Sequence, residues 1–314
     1  MKLTFRPYRD DEDYWRLRAF LREVMLLNER QVRSWHVARL DYWWWFINPE
    51  LEKMDLCESV FLWETESGAL AAAVIPEGRG DAFLQLHPAF RTPELEEEMI
   101  ALAEARLGKT LPDGKRKLTA WAFADDKLRQ EILARRGYCR VERPGAQEVI
   151  HRRMLDAPLP DVPPTPGYTI RAMGAGLELL ERAYASGLGF HNDDIQVARD
   201  NRDHPGWYHR IQSAPLYRRD LDIVATAADG STAAFTTVWF DDVSRTAYFE
   251  PVATVPAHVR RGLAKAVIME GLHRVKHMGC KAAFVGGYST AANATYFSAF
   301  GTECSLFEPW EIEI

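Results

Sequence analysis

Residues suited to binding an anion are concentrated in the segment 259–265, VRRGLAK, in the second half of the chain. A predicted strand ends before Pro256 and a predicted helix begins near Gly262, so the segment offers N–H groups that have no partner within the helix and lie at the positive end of its dipole. Gly262 and Ala264 leave little side-chain bulk between this backbone and a ligand. Three cations add charge: Arg260, Arg261 and Lys265. The segment therefore predicts a pocket for a pyrophosphate.

The helix that follows must hold this pocket against a sheet. Its apolar residues recur mainly on one face, at Leu263, Val267, Ile268 and Leu272. An alternative interpretation treats the basic residues of this region as a nucleic-acid surface. They scatter around the helix, however, and no aromatic residues are interleaved among them for base stacking.

The composition describes an ordinary globular protein. The 314 residues are 47% hydrophobic and 27% charged, a length that suits two domains. Acidic residues outnumber basic ones, 45 to 39, and the net charge of −6 argues against a general nucleic-acid binder. The four cysteines form no C-x-x-C pair, no apolar run approaches the roughly 20 residues of a membrane span, and the first residues lack the layout of a targeting signal. We expect a cytoplasmic protein with no membrane or nucleic-acid partner.

A proline-rich stretch divides the chain. Residues 155–167, LDAPLPDVPPTPG, contain five prolines, which remove backbone donors and favour extended conformations. We predict an extended linker between a domain of residues 1–154 and a domain of residues 168–314, the alternative being a long surface loop within one domain.

The two sides of this linker repeat one pattern. Each has a short strand, helices, a hairpin, a further strand, a proline and a long helix, with Pro88 and Pro256 as matching landmarks. The hairpin turns contain Gly68 and Gly230, since glycine accepts the positive φ that such turns require. The order β, α, α, β, β, β, α, β, α, β predicts an α/β (α+β) fold in each copy, with a mixed, mainly antiparallel sheet flanked by helices.

The second copy resembles the GNAT acetyltransferase superfamily. That family has a strand followed by the loop pattern Q/R-x-x-G-x-G/A, and residues 259–264 read VRRGLA, with Val259 where Gln or Arg is usual. The resemblance covers residues 168 to about 305, and more faintly residues 1–155, in a tandem arrangement similar to that of mycothiol synthase-like acetyltransferases. It implies two tandem GNAT-like domains and acetyl-CoA as the cosubstrate.

The resemblance also implies which residues bind acetyl-CoA. Val252, Ala253 and Thr254 correspond to the splayed strand that binds the pantetheine arm. Asn293 lies in a segment similar to the family's Asn-containing segment before the last helix. The loop residues implied for the pyrophosphate are Val259, Arg260, Arg261, Gly262, Leu263, Ala264 and Lys265.

The first copy lacks these loop features. With Pro88 aligned on Pro256, Glu94 stands where Gly262 stands, and the basic neighbours are replaced by glutamates. Carboxylates stabilise a helix N-terminus but repel a pyrophosphate. We therefore predict a degenerate copy that supports the second one or walls off part of the acceptor site.

Acyl transfer to an amine needs a base and an acid. For the base we favour Glu250, which strand alternation places on one face with Tyr248 and Val252 and whose apolar neighbours favour a raised pKa. For the acid, which the family supplies from a tyrosine, we favour Tyr296; an alignment on Gly301 instead places Phe297 there. Structural roles for both candidates remain open alternatives.

The other polar and aromatic clusters are assigned no chemistry. His191, His204 and His209 lie in the region that borders the acceptor pocket in the family, and His191 to Asp194 lack a second ligand cluster, so no metal site is predicted. The tryptophans at 43–45 are interpreted as packing residues, with an acceptor contact as the alternative.

Two functions are compatible with these residues. The first is an enzyme that transfers an acetyl group from acetyl-CoA directly to a primary amine of a small molecule, with Glu250 as general base and Tyr296 as general acid. The second is an inactive acyl-CoA sensor or scaffold, favoured by Val259, the ambiguous tyrosine register and the degenerate first copy.

Overall fold

The chain divides into two units that exchange the last strands of the two sequence repeats. The computed structural model describes residues 3–161 and 165–314. Unit 1 is Met1–Val149 with Ser305–Ile314, and unit 2 is Ile150–Cys304. The predicted boundaries at residues 154 and 168 separate the two sequence repeats. The structural units divide the chain differently, because residues 150–154 of the first repeat belong to unit 2 and Ser305–Ile314 of the second repeat belong to unit 1.

The first repeat contains eight strands and five α-helices in its described residues. The strands are β1 (Thr4–Pro7), β2 (Phe61–Glu64), β3 (Leu70–Ile75), β4 (Asp81–Leu86), β5 (Lys109–Thr110), β6 (Arg116–Phe123), β7 (Cys139–Arg140) and β8 (Glu148–Met154). The helices are α1 (Asp11–Leu27), α2 (Val37–Tyr42), α3 (Leu56–Ser59), α4 (Pro93–Leu107) and α5 (Lys127–Arg135). A π-helical segment, Trp43–Glu52, follows α2, and a 3-10 turn, Pro88–Phe90, precedes α4.

The second repeat has the same plan. Its strands are β9 (Tyr168–Ala172), β10 (Asp222–Ala227), β11 (Thr232–Asp241), β12 (Thr246–Thr254), β13 (Ala282–Gly287) and β14 (Cys304–Glu313). Its helices are α6 (Glu178–Phe190), α7 (Ile195–Asp203), α8 (Gly206–Ser213), α9 (Leu263–His277) and α10 (Thr290–Phe300), with 3-10 turns at Arg219–Leu221 and Pro256–His258. The helices α4 and α9 are both 15 residues long and both follow a 3-10 turn that begins at the landmark proline.

Each unit has a mainly antiparallel sheet, as predicted. In unit 1 the order is β1-β2-β3-β4-β6-β14, with β4 and β6 the parallel pair. In unit 2 it is β8-β13-β12-β11-β10-β9, with β12 and β13 the parallel pair. The strand β14 pairs with β6 from Phe307 to Glu313, and this long ladder explains why the C-terminal residues belong to unit 1.

Helices cover the sheets through apolar faces. In unit 2, the α9 residues Ile268, Met269, Leu272 and Val275 pack in one buried cluster with Phe249 of β12. Full burial of such a side chain stabilises the fold by roughly 1.5–3 kcal/mol. The predicted apolar face of α9 is therefore the face that joins it to the sheet.

The first part of the predicted linker packs on unit 2. Leu155 is buried, and its carbonyl accepts a hydrogen bond of 2.7 Å from Lys276 Nζ, which also donates to Ala157 O. The predicted linker residues Pro163 and Pro164 lie outside the described residues.

The tryptophans at 43–45 pack within unit 1. Trp43 is fully buried and donates to Glu77 O at 2.9 Å, Trp44 stacks on Tyr14 with ring centroids 4.5 Å apart, and Trp45 donates to the Tyr14 hydroxyl at 2.9 Å.

A buried carboxylate joins α4 to α5. Glu96 is 0% exposed and accepts from Arg129 Nε at 2.7 Å and from Arg91. Arg129 is 3% exposed, so the loss of the Glu96 charge would leave a buried cation without its main partner.

We expect Glu96→Gln to lower the free energy of unfolding by about 3–5 kcal/mol, because it breaks a buried ion pair from one side. The neighbouring Glu97→Gln is the matched control, since its pair with Arg135 is exposed and worth about 1 kcal/mol or less. Urea unfolding measures both variants. Equal losses would show that the Glu96 pair contributes no more than a surface pair.

Candidate functional site

The two parallel strands of unit 2 separate partway along their length. The strand β12 pairs with β13 at Thr246, Ala247 and Tyr248, but β12 continues to Thr254 and β13 to Gly287. The remaining edge of β12 is therefore not occupied by β13. Such a gap between strands exposes backbone donors and acceptors to a ligand.

A β-bulge lies where the strands separate. Thr236 of β11 pairs with Val252, and Val238 pairs with Phe249, so Glu250 and Pro251 lie opposite Thr237 alone. The Trp239 indole donates to Glu250 O. The bulge thus fixes Glu250 at the point of divergence.

The bulge also corrects the predicted strand alternation. Tyr248, Glu250 and Val252 were expected on one face, but Val252 packs against the same cluster as Phe249. The extra residue of the bulge shifts the alternation by one position, so Val252 does not share the face of Glu250.

The backbone beyond the bulge faces the gap. Val255 N–H donates to Ala233 O of β11 at 2.9 Å. Successive N–H groups of a strand point to opposite edges, so the Thr254 N–H points away from β11, toward the edge that β13 has left. Ala253, between the predicted pantetheine contacts Val252 and Thr254, is covered from the helix side, because a Cβ on Gly189 of α6 would lie 3.0 Å from the Ala253 Cβ.

The N-terminus of α9 is open and positively charged. Gly262 is its N-cap residue, with φ 78° and ψ 5°, and among the described residues no side chain caps the helix there. A Cβ at Gly262 would have no described heavy atom within 4 Å. Arg260 also has positive φ, 62°, and both Arg260 and Arg261 are exposed. Backbone N–H groups and cations around an open glycine suit a pyrophosphate.

The remaining loop residues take different positions. Val259 is 45% exposed, while Leu263 is 1% exposed and packs in the core, so only its backbone is available to a ligand. Ala264 and Lys265 are half-buried. The Arg261 guanidinium lies 6.0 Å from the ring centroid of Tyr168, whose hydroxyl is 2.9 Å from His258 Nδ1.

The start of α10 lies against the end of β13. A Cβ on Gly287 would lie 2.3 Å from Asn293 Oδ1 and 3.0 Å from two ring carbons of Tyr296. Tyr296 is 7% exposed, whereas Phe297, the alternative in the other register, is 42% exposed. Burial, with a smaller contribution from the Glu250 carboxylate, raises the pKa of Tyr296 above its usual range. The Glu250 carboxylate is therefore near enough to act electrostatically on Tyr296.

His151 is a residue of this site that the sequence did not indicate. It lies on β8, in the first repeat, yet its Nε2 is 3.0 Å from Asn293 Oδ1, and its ring is edge-on to Tyr296 at 5.6 Å. A buried histidine in a strand carries no local signal of a ligand site, and only the exchange of β8 into unit 2 reveals it.

A buried ion pair anchors the helix beside the gap. Arg182 of α6 and Asp222 of β10 are both 0% exposed, with Arg182 Nε 3.5 Å from Asp222 Oδ1. The hydroxyls of Tyr208 and Tyr217 donate to Asp222 Oδ2. The predicted acceptor-side histidines follow this helix and lie on exposed surface: His191, His204 and His209.

In the first copy, the helix N-terminus that corresponds to the open N-terminus of α9 is capped by a side chain of the protein itself. Thr92 caps α4 by accepting from Leu95 N at 3.2 Å, and α4 begins five residues after Pro88, whereas α9 begins seven residues after Pro256. Thr92, and not Glu94 as predicted, is therefore the counterpart of Gly262. The loop is two residues shorter than in the second copy, which shifts the alignment.

The gap in the first copy is filled by its own chain. The strand β4 pairs with β6 only at Asp81 and Ala82. Leu86 N, the counterpart of Thr254 N, donates to Ser34 Oγ at 3.1 Å, and Trp35 N donates to Gln85 Oε1 at 2.7 Å. The segment before α2 thus takes the place that a ligand would need.

The cations near α4 have internal partners. Arg91 pairs with Asp126 at 2.6 Å and with Glu96, and Arg33 pairs with Asp125 at 2.6 Å. A pyrophosphate would have to displace these carboxylates.

Comparison with known proteins identifies the domain that carries the open site. The family model of the acetyltransferase (GNAT) family matches residues 189–301. This part of the chain is similar in sequence to the GNAT family. The match begins near the end of α6 and includes the gap, the α9 loop and α10.

The whole chain has the tandem GNAT fold. A GCN5-related N-acetyltransferase from Sphaerobacter thermophilus aligns with a TM-score of 0.65 at 16% identity, over 99% of this chain and 95% of that one. A tandem GNAT protein from the clavulanic acid biosynthesis pathway, without AcCoA, gives 0.61 at 16% identity, over 99% and 98%. A GNAT-family acetyltransferase from Colwellia psychrerythraea gives 0.58 at 13% identity, over 100% of both chains. No protein with a curated description matches the chain.

Two further properties concern metals and membranes. Across residues 3–161 and 165–314, no group of three or more His, Cys, Asp or Glu is arranged to hold a metal ion. Within the same ranges, no helix combines the length and apolar character needed to cross a bilayer.

The contact of Gly287 with Asn293 and Tyr296 yields a prediction. We expect Gly287→Ala to lower the free energy of unfolding by about 1–3 kcal/mol, because the new methyl group overlaps Asn293 Oδ1 and the Tyr296 ring. Gly206→Ala is the matched control: no described atom lies within 4 Å of its Cβ position, so we expect a change of about 0.5 kcal/mol or less. Chemical denaturation compares the two, and a Gly287→Ala variant as stable as the control would contradict the packing of α10 on β13.

Proposed function

We propose that the chain is an N-acetyltransferase that moves an acetyl group from acetyl-CoA to a primary amine of a small molecule by direct transfer. The observation that carries the proposal is the conjunction, in one GNAT domain, of the open edge of β12, the uncapped N-terminus of α9 and the Glu250–Tyr296 pair. The edge of β12 and the N-terminus of α9 offer the backbone groups that would bind acetyl-CoA. Glu250 and Tyr296 offer the side chains that would perform the chemistry.

The pyrophosphate would bind at the α9 N-terminus. Gly262, Leu263 and Ala264 would bind it through backbone N–H groups, and Arg260, Arg261 and Lys265 would add charge, with Val259 entering the loop by its backbone. The pantetheine arm would bind along Val252, Ala253 and Thr254, whose edge faces the gap, and Asn293 would add a side-chain amide from α10.

Glu250 and Tyr296 would perform the proton transfers. As the amine nitrogen bonds to the thioester carbonyl carbon, Glu250 would accept the proton that the nitrogen loses, directly or through water. When the carbon–sulfur bond breaks, Tyr296 would donate its phenolic proton to the departing thiolate. The raised pKa of Tyr296 keeps that proton in place at neutral pH. The products are the N-acetylated amine and free coenzyme A.

The position of the coenzyme is tested by Gly262→Glu. We expect wild-type protein to bind one equivalent of acetyl-CoA per chain and to gain about 2.7 kcal/mol in stability at a hundred times Kd. We expect the variant to show neither effect, because a carboxylate enters the anion pocket. Isothermal titration and thermal unfolding give the two measurements.

Gly230→Glu is the matched control, since Gly230 also has positive φ, 89°, and an open Cβ position, but lies in the β10–β11 turn. Equal loss of binding in both variants would indicate a general effect of strain and charge. Two equivalents bound by the wild type would contradict the closed state of the first copy.

The catalytic pair is tested by Tyr296→Phe and Glu250→Gln. We expect each to lower kcat by about a hundredfold or more, the usual contribution of a general acid or base, and to leave the Kd of acetyl-CoA within about twofold. Release of free thiol in the presence of an amine panel measures turnover. Tyr184→Phe removes a tyrosine hydroxyl elsewhere in unit 2 and should leave kcat unchanged. Tight coenzyme binding without turnover in the wild type would support an acyl-CoA sensor instead.

A further inference from the structure

His151 reaches the GNAT domain from the other sequence repeat. It lies on β8, which neighbours β13 in the sheet of unit 2, and its side chain is 0% exposed. Its Nε2 is 3.0 Å from Asn293 Oδ1, and its ring is edge-on to Phe297 with centroids 4.5 Å apart. A buried polar residue therefore touches a proposed coenzyme contact directly.

The contact is a hydrogen bond in one tautomer of His151. The Asn293 Oδ1 atom faces Nε2 and an amide oxygen only accepts, so the bond forms when Nε2 carries the proton. Burial lowers the pKa of His151, against a smaller raising effect of the Asn293 hydrogen bond, and this favours the neutral ring. Nδ1 is then a bare acceptor, and it has no hydrogen-bond partner in the described part of the chain.

The same contact orients the Asn293 amide. Its Oδ1 also lies over Gly287, where a Cβ would come within 2.3 Å. Within the described ranges, the Asn293 amide has a hydrogen-bond partner at Oδ1 and none at Nδ2. Nδ2 is therefore turned away from His151, with both of its protons available. With the proton on Nε2, a rotated amide would direct a donor at a donor and lose the bond.

We propose that His151 is a positioning residue of the coenzyme site. It holds the Asn293 carboxamide with the oxygen inward, so that the N–H groups face the gap and can donate to an amide carbonyl or phosphate oxygen of acetyl-CoA. The proposal rests on the proposed function, because the ligand is the coenzyme. It assigns to the first repeat a direct part in the site of the second.

A double-mutant cycle on the Kd of acetyl-CoA tests the proposal by calorimetry on the full chain. We expect His151→Phe to raise Kd about tenfold, the size of one lost hydrogen bond. His151→Gln places an amide donor near the position of Nε2 and should restore Kd to within about threefold of wild type. In an Asn293→Ala background, His151→Phe should add no further loss, because the histidine acts through the asparagine.

The outcomes separate this proposal from the proposed function. A wild type that binds no acetyl-CoA overturns both. A wild type that binds, with equal losses in the Phe and Gln variants or with additive losses in the double mutant, overturns only the positioning role. If His151→Phe does not fold, His151→Asn replaces it, since its amide lies near the position of Nδ1. Asn and Gln variants of equal affinity would then overturn the proposal.

Discussion

The separation of β12 from β13 is the constraint on which the rest of the site depends. Two parallel strands that share a ladder satisfy each other's backbone groups, and where they part those groups need another partner. In unit 2 the ladder stops at Tyr248, and the bulge at Glu250 turns the strand as it leaves its neighbour. In the proposed function, the gap would provide both the edge that binds acetyl-CoA and the place where a carboxylate meets the reacting atoms. The α9 N-terminus then adds positive charge at the end of the same strand.

The two repeats show that the separation of the parallel strands does not by itself leave an open strand edge. The first repeat has the same early separation of its parallel strands, but Ser34 supplies the partner that Leu86 N requires. Thr92 likewise supplies the cap that α9 lacks, and carboxylates neutralise the nearby arginines. Each of these side chains gives the first repeat an internal contact at a position that is open in the second repeat. The difference between the copies therefore lies in a few polar side chains and two loop residues, within a fold that both retain.

The sequence predicted the fold well because its signals were local. Prolines and glycines marked the turns, as at Pro88, Pro256 and Gly230, and the apolar face of α9 followed helical spacing. The predictions that depended on register were less accurate. The bulge at Glu250 moved Val252 to the other face, and the shorter loop made Thr92, not Glu94, the counterpart of Gly262. An insertion or deletion of one or two residues is not visible in a pattern of residue types. His151 could not be predicted for a further reason, since strand exchange brings it to Asn293 across 142 positions of sequence.

The corner formed by Tyr296 and His151, whose ring centroids are 5.6 Å apart, favours neutral side chains. Burial acts in opposite directions on the pKa values of the tyrosine and the histidine, raising the first and lowering the second, and in both it favours the neutral form. The carboxylate of Glu250 adds to the effect on Tyr296, because a second negative charge beside it is unfavourable. Two neutral side chains thus lie together, and the Glu250 carboxylate acts electrostatically on one of them, Tyr296. In the proposed reaction, a proton accepted by Glu250 would remove the smaller of the two contributions that raise the pKa of Tyr296, since burial would remain, and the tyrosine would become a stronger acid as the leaving thiolate develops. The two proton transfers would in that way be coupled by the low dielectric of the corner itself.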